Sequence, residues 1–329
     1  DIMYQGDINK WKRFAWALKA RYLNHLSKKG TLYNTTKIIE ACNNAFNADG
    51  MDAQFAYLTG GLQTDENPWF SWGGFTDATN PRYFSWSQFF INMLTSFPVT
   101  NTSFQDPRIS RIMQTAGDGQ YRGLRSGGGL VGGQGVLANG ANGDATKVAE
   151  ADYSKFSNTG YYTRATSPIP FMTYSEVKLI EAEAKLRASD VPGALLAYEE
   201  GVKSNMRKLG VTTAEINTYW TAQLADGLAA HFANLTQGLS HIMRQKYIVL
   251  CLNPETWVDM RRMDYSQAIY GPSLLRPQNL NTVIFDAANP NQWIRAMVYE
   301  SNEQTRNPAA VGDNSEKYRL LTRLWWDTN

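Results

Sequence analysis

Apolar residues recur at helical spacing in several separate stretches of the chain. In "NKWKRFAWALKARYLNHLSKKG", Trp11, Phe14, Ala15, Leu18, Tyr22 and Leu26 fall on one face, with lysine and arginine opposite and Gly30 as a stop. This predicts a helix over residues 9–27. A second, over 35–46 through Ile38, Ile39, Cys42 and Phe46, makes a helical hairpin with the first. "SWSQFFINMLTSF" places Trp86, Phe89, Phe90, Met93, Leu94 and Phe97 on one buried stripe that ends before Pro98. Thr173 and Glu176 form a capping-box pattern that opens "YSEVKLIEAEAKLRAS". Asp190, Pro192 and Gly193 make a turn, and "ALLAYEEGVKSNMRKLG" returns as a second helix. Ala194, Tyr198 and Gly201 match the small–aromatic–small positions of the second helix of a tetratricopeptide hairpin, where small residues let two helices approach closely. No regular period of about 34 residues runs through the chain, so any repeats are degenerate. A further helix runs through "HIMRQKYIVLCL". In "NPETWVDMRR", Asn253 caps and Pro254 takes the first helical position. From Tyr265 onward proline, asparagine and glycine dominate until "LLTRLWWDTN". The pattern predicts a mainly helical protein with long ordered loops.

One stretch breaks the periodicity. "ENPWFSWGG", residues 66–74, sets two tryptophans and a phenylalanine in a segment that reads as a loop. The chain is rich in aromatics, with 10 Trp, 17 Tyr and 14 Phe in 329 residues, and core packing accounts for most of them. Tryptophan presented from a loop is different, because it is the mark of a stacking surface. "QTDENPWFSWGGFTDATNPRYFSW" combines such faces with groups that read hydroxyls. The candidate ligand-binding residues are therefore Trp69, Trp72, Phe70, Asn67 and Asp65, with Arg82 and Tyr83 on the returning arm. An extended backbone would point Trp69 and Trp72 to opposite sides, one onto ligand and one into the scaffold. The competing reading is a small aromatic core beneath a long loop.

Other chemistry is sparse. The composition, 43% apolar and 19% charged, is that of an ordinary folding chain. Net charge is +2 with acids and bases interspersed, which gives no footprint for nucleic acid. No apolar run approaches a membrane span. His25, His231 and His241 are too scattered for a metal site, and no P-loop or GxSxG elbow is present. Nine glycines lie between Gly123 and Gly143. Gly127, Gly129 and Gly132 formally satisfy GxGxxG, but without a strand before or a helix after they read as loop. Cys42 and Cys251 show no ligand spacing and read as small buried hydrophobes, with a disulfide between them left open. Asp65 and Glu66 are adjacent, whereas a glycosidase needs two acids facing the sugar from opposite sides at about 5–10 Å. Hydrogen bonding to hydroxyls or turn-making suits them better. Asp259, Arg261 and Arg262 offer either an anion site or internal salt bridges on a short helix, and the second is expected. No catalytic group, metal or cofactor is predicted.

Several stretches together resemble the SusD/RagB-like outer-membrane lipoproteins of Bacteroidetes, particularly their second large subgroup. These are "DIMYQGDINKWKRFAWALKARYLNHLSK", "QDPRI", "MTYSEVKLIEAEAKLR", "YEEGVKSNMRKLGV", "RQKYIVLCLNPETWVDMRRMDY" and "YESNEQTRN…WWD". The resemblance implies a tetratricopeptide-like helical scaffold with a loop-rich second part. It divides the chain into a helical hairpin (1–59), a loop-rich ligand-side region (60–172), tetratricopeptide-like helices (173–262) and a loop-rich C-terminal segment (263–329). It also implies a signal peptide, a lipid anchor and further helical hairpins before Asp1. The implied function is non-catalytic: capture of a nutrient, an oligosaccharide in the first instance, on the cell-surface face of the outer membrane. Ligand would pass to a SusC-like TonB-dependent transporter. A peptide-binding member of the same family, a loop-sited glycoside hydrolase and a structural subunit with a decayed site are the alternatives.

Overall fold

The computed structural model describes residues 1–58, 64–72, 85–95, 104–127, 130–131, 136–137 and 153–328. Arg82, Tyr83 and the side chain of Trp72 lie outside the described residues, as does most of the glycine-rich stretch. Helix α1 spans Ile8–His25, capped by Asp7, whose side chain accepts from the amides of Asn9 and Lys10. Helix α2 spans Thr35–Asn44 and is capped by Asn34. Strand β1 (Ala53–Phe55), α3 (Pro68–Trp72), α4 (Gln88–Thr95) and α5 (Ile109–Ile112) follow. Strands β2 (Leu130–Val131) and β3 (Val136–Leu137) pair antiparallel with each other. Strand β4 (Ile169–Met172) pairs antiparallel with β1 and so brings the chain back beside the first hairpin.

The centre of the molecule is the hairpin of α6 (Tyr174–Arg187) and α7 (Val191–Lys208). Thr173 caps α6 by accepting from the Glu176 amide at 3.1 Å, and Asp190 caps α7 by accepting from Gly193 at 3.0 Å. Gly201 packs so tightly that an added Cβ would meet the Leu179 side chain at 3.0 Å and the Ser175 carbonyl at 3.1 Å. Ala194 and Tyr198 are wholly buried beside it, as the small–aromatic–small pattern predicts. Two cores flank α6. One holds Ile38, Phe46, Val177 and Ile180 beneath α1 and α2. The larger one gathers Leu179 with α4, α7 and the helices that follow. These are α8 (Thr213–Ala225), α9 (Leu228–Phe232), α10 (Leu235–Val249), α11 (Glu255–Arg262) and α12 (Gln267–Tyr270). Short helices α13 (Ser301–Arg306), α14 (Pro308–Val311) and α15 (Glu316–Leu321) close the chain. Fold class and scaffold follow the expectation.

Two readings need correction. The face of α1 expected to be buried is the more open one, with Trp11, Ala15 and Tyr22 exposed. The buried stripe is Ala17, Ala20, Arg21 and Asn24. Alanines let α1 approach α6, and the polar pair is neutralised there: Arg21 forks onto Glu176 at 2.8 and 2.6 Å, and Asn24 donates to Glu183 at 2.7 Å. Helix α8 was not foreseen, although Thr212 and Glu215 form a complete capping box at its start.

Buried charges hold the elements in register. Arg262 donates to Glu183 at 3.0 and 2.9 Å and to Asp259 at 2.7 Å, and it also reaches the Asn24 carbonyl. Lys246 pairs with Asp259 at 2.9 Å. Asp259 and Arg262 of "WVDMRR" therefore form internal salt bridges, whereas Arg261 donates to the Arg295 carbonyl at 2.8 Å and lies over the Trp257 and Trp326 rings. Arg108, wholly buried, forks onto Asp106 and continues to Asn205 and Gln245, which fixes the "QDPRI" turn against α7 and α10. Cys42 and Cys251 are free thiols, buried in different cores.

Candidate functional site

The irregular reading of "ENPWFSWGG" gives way to a short helix. Asn67 Oδ1 accepts from the Trp69 amide at 2.8 Å and Pro68 occupies the first helical position. The extended backbone that would point Trp69 and Trp72 to opposite sides is absent, and the Trp72 side chain lies outside the described residues. Asn67 is wholly buried and serves the chain itself. Its Nδ2 donates to the Ser167 carbonyl and its backbone amide to the Ala165 carbonyl, both at 2.8 Å. This pins α3 to the loop leading into β4. Asp65 is half-buried; its carbonyl accepts from the Leu58 amide at 3.1 Å, and its carboxylate lies 3.4 Å from the Thr64 hydroxyl. Phe70 is half-buried.

Trp69 is where the site takes shape. Half-buried, it meets Phe156 edge-to-face at 6.3 Å, and Phe156 continues to Trp86 and Phe90 in the main core. Trp69, Cys251 and Leu252 form a common wall between two cavities of about 270 Å³ each. The first cavity has apolar sides from Trp69, Pro168, Pro170 and Phe171, and a polar end from Arg21, Asn253 and Glu255. The second is lined by the rings of Trp86, Phe90, Phe156 and Tyr247, with Ser85, Ser87 and Thr256 supplying hydroxyls. It shares Ser87 and Tyr247 with a third cavity of about 270 Å³. In the third, Tyr265 stacks flat on Trp293 at 4.4 Å, and Trp257 Nε1 donates to the Tyr265 hydroxyl at 2.7 Å. Each volume lies just below the ~300–1,000 Å³ of typical small-molecule sites. Each suits one or two rings.

At the polar end of the first cavity, Asn253 Oδ1 accepts from the Glu255 amide at 3.0 Å just ahead of α11, whose cap position is Pro254 rather than the expected Asn253. Burial pushes the Glu255 carboxyl up, but the His25 hydrogen bond at 3.0 Å and the Arg21 and His25 charges outweigh it and hold it below the usual range. Burial alone pushes the Cys251 thiol well up, so this wall residue is inert rather than nucleophilic. Among the described residues no group of three or more His, Cys, Asp or Glu is placed to hold a metal ion.

Of the sequence-predicted residues the structure brings Trp69 and Asn67 to the first cavity. Arg21, Phe171, Asn253 and Glu255 were missed there. The Asn-Pro pair at 253–254 reads as a helix start, and nothing local marks it as part of a cavity wall.

Residues 1–283 match the model of a SusD-like family described as starch-binding and associating with the outer membrane. The chain belongs to this family. No curated protein sequence matches it. Among solved structures, a SusD homologue from Bacteroides uniformis aligns with a TM-score of 0.72 at 21% identity, covering 100% of this chain and 67% of that one. A chitin-binding SusD homologue from Flavobacterium johnsoniae gives 0.71 at 19% identity, with 100% and 66% covered. A SusD homologue from Bacteroides fragilis gives 0.68 at 18%, with 100% and 69% covered. The SusD-like chain therefore spans about two thirds of these relatives. At these identities they establish its fold. Among the described residues no helix of this SusD-like protein is long and apolar enough to cross a membrane.

Proposed function

We propose that this SusD-like chain binds an oligosaccharide at the outer-membrane surface, without chemical turnover, and passes it to a TonB-dependent transporter. The first cavity carries the reading. Aromatic and proline faces stand on its sides and hydrogen-bonding groups stand at one end, which is the pairing a pyranose ring needs for its apolar faces and its hydroxyls. The starch-binding description of the family and the chitin-binding homologue support a glycan over a peptide. A peptide would call for an open strand edge or a large cavity. The helix pairs offer a broad rigid wall for a membrane partner, while the ligand-side loops are free to vary.

The test is a binding panel of starch- and chitin-derived oligosaccharides and matched peptides, measured by calorimetry on wild type and Phe171→Ala. Saturable glycan binding that weakens in the variant supports the reading. Binding confined to peptides, or release of reducing ends by the purified protein, defeats it. Delivery is tested separately, by co-purification with a large β-barrel from native membranes in mild detergent; a protein recovered without partner counts against that part.

A further inference from the structure

The polar end of the first cavity is built more specifically than a general sugar site requires. Arg21 uses two of its three guanidinium nitrogens within the fold. Nε and Nη2 fork onto Glu176, and Nη2 also donates to the Phe171 carbonyl at 2.6 Å. The third, Nη1, stands 3.9 Å from Glu255 Oε1, close enough for attraction and too far for a hydrogen bond. Glu255 is engaged through Oε2, which meets His25 Nε2 at 3.0 Å, so Oε1 keeps its lone pairs. A donor and an acceptor thus face each other across a gap at the wall of a cavity. The Arg21 side chain is only 8% exposed, and its position is fixed by Glu176.

We infer that Arg21 Nη1 and Glu255 Oε1 act as a clamp for one sugar hydroxyl and select neutral over acidic glycans. The inference rests on the glycan reading above. A hydroxyl oxygen placed at hydrogen-bonding distance from both atoms accepts from Nη1 and donates to Oε1, since a hydroxyl is both donor and acceptor. A uronate carboxylate only accepts, so it satisfies Nη1 but is repelled by Glu255. Arg21 offers it little net attraction, because its charge is already matched by Glu176. An ammonium only donates and meets Arg21 with like charge.

The experiment compares two oligosaccharides of the same linkage and length, one of neutral hexoses and one of uronates, on wild type and Glu255→Gln. Glutamine keeps an acceptor oxygen and the side-chain size while removing the charge. Wild type is expected to bind the neutral sugar at least about tenfold more tightly, and the ratio is expected to fall towards one in the variant. A ratio that is the same in both proteins, or a wild-type preference for uronate, overturns the clamp while leaving glycan binding intact. Binding of neither sugar defeats the glycan reading and the clamp with it. A second measurement needs wild type alone. In a series of singly O-methylated neutral sugars, one position should lose about tenfold or more, because the ether cannot donate to Glu255. A series in which no position matters overturns the clamp.

Discussion

Trp69 and Phe171 share the first cavity but differ in what else they hold. Phe171 is 47% exposed, on a strand of a two-stranded ribbon, whereas Trp69 is packed against Phe156 and the main core. Base–aromatic stacking is worth ~1–3 kcal/mol, and a sugar on an aromatic face should be of similar order. Phe171→Ala is therefore expected to weaken glycan binding about tenfold, with a melting temperature close to wild type. Trp69→Ala should weaken binding and also lower stability by about 2 kcal/mol or more through lost packing. Calorimetry and thermal melts on both variants separate the two, and equal destabilisation with unaltered binding would sink the assignment. Sequence marked Trp69 because a tryptophan beside Asn-Pro stands out. It did not mark Phe171, Arg21 or Glu255, which reach the cavity from β4, α1 and α11, far apart in the chain. The Asn-Pro cap itself was legible. At Asn253–Pro254 the same signal places the helix start to within one residue, since Pro254 holds the cap and the helix begins at Glu255, whereas at Asn67–Pro68 the flanking glycines and aromatics pull the reading towards loop.

At the scale of elements, the α6–α7 hairpin was the most legible part of the fold, because its caps and its small–aromatic–small spacing are local. Gly201 shows how narrow the fit is. A valine there would push its Cβ against the Ser175 carbonyl, which belongs to the facing helix backbone and cannot swing aside as a side chain can. Gly201→Val is expected to cost about 1–3 kcal/mol despite removing a glycine from a helix, visible as a lower denaturant midpoint with an unchanged slope. An unchanged midpoint would show that the helices can separate freely there. Helix α1 shows the opposite limit. Its hydrophobic residues are real, but burial went to the stripe that carries Arg21 and Asn24, since their partners Glu176 and Glu183 sit on α6. Periodicity counts apolar residues and has no term for a buried arginine with a waiting carboxylate.

For the molecule as a whole, those buried pairs make stability depend on acid. Glu183 is wholly buried and accepts from Arg262, Arg187 and Asn24, three elements meeting on one carboxylate. Burial pushes its carboxyl up, but Arg262 and Arg187 outweigh this and hold it far below the usual range. Asp259, between Lys246 and Arg262, is also held low against its burial. A carboxyl with a depressed folded value binds its proton more readily in the unfolded chain. Its contribution is thus full above the unfolded value of about 4 and is lost as pH falls through the folded one. Denaturant midpoints should begin to fall as pH drops below about 6.5, where burial holds the His241 ring neutral while the unfolded chain takes up its proton, and should fall more steeply below about pH 5 as the carboxyls protonate. Glu183→Gln removes one member of a buried cluster and leaves Arg262 under-neutralised, so it should cost about 3–5 kcal/mol at neutral pH. The variant should also show a shallower fall between about pH 5 and pH 3, since its largest depressed carboxyl is gone. The comparison of slopes is decisive where the loss at neutral pH is not, because any core lesion destabilises. Equal slopes in the two proteins would mean that acid acts elsewhere, and that the junction of α1, α6 and α11 is held by packing rather than by charge.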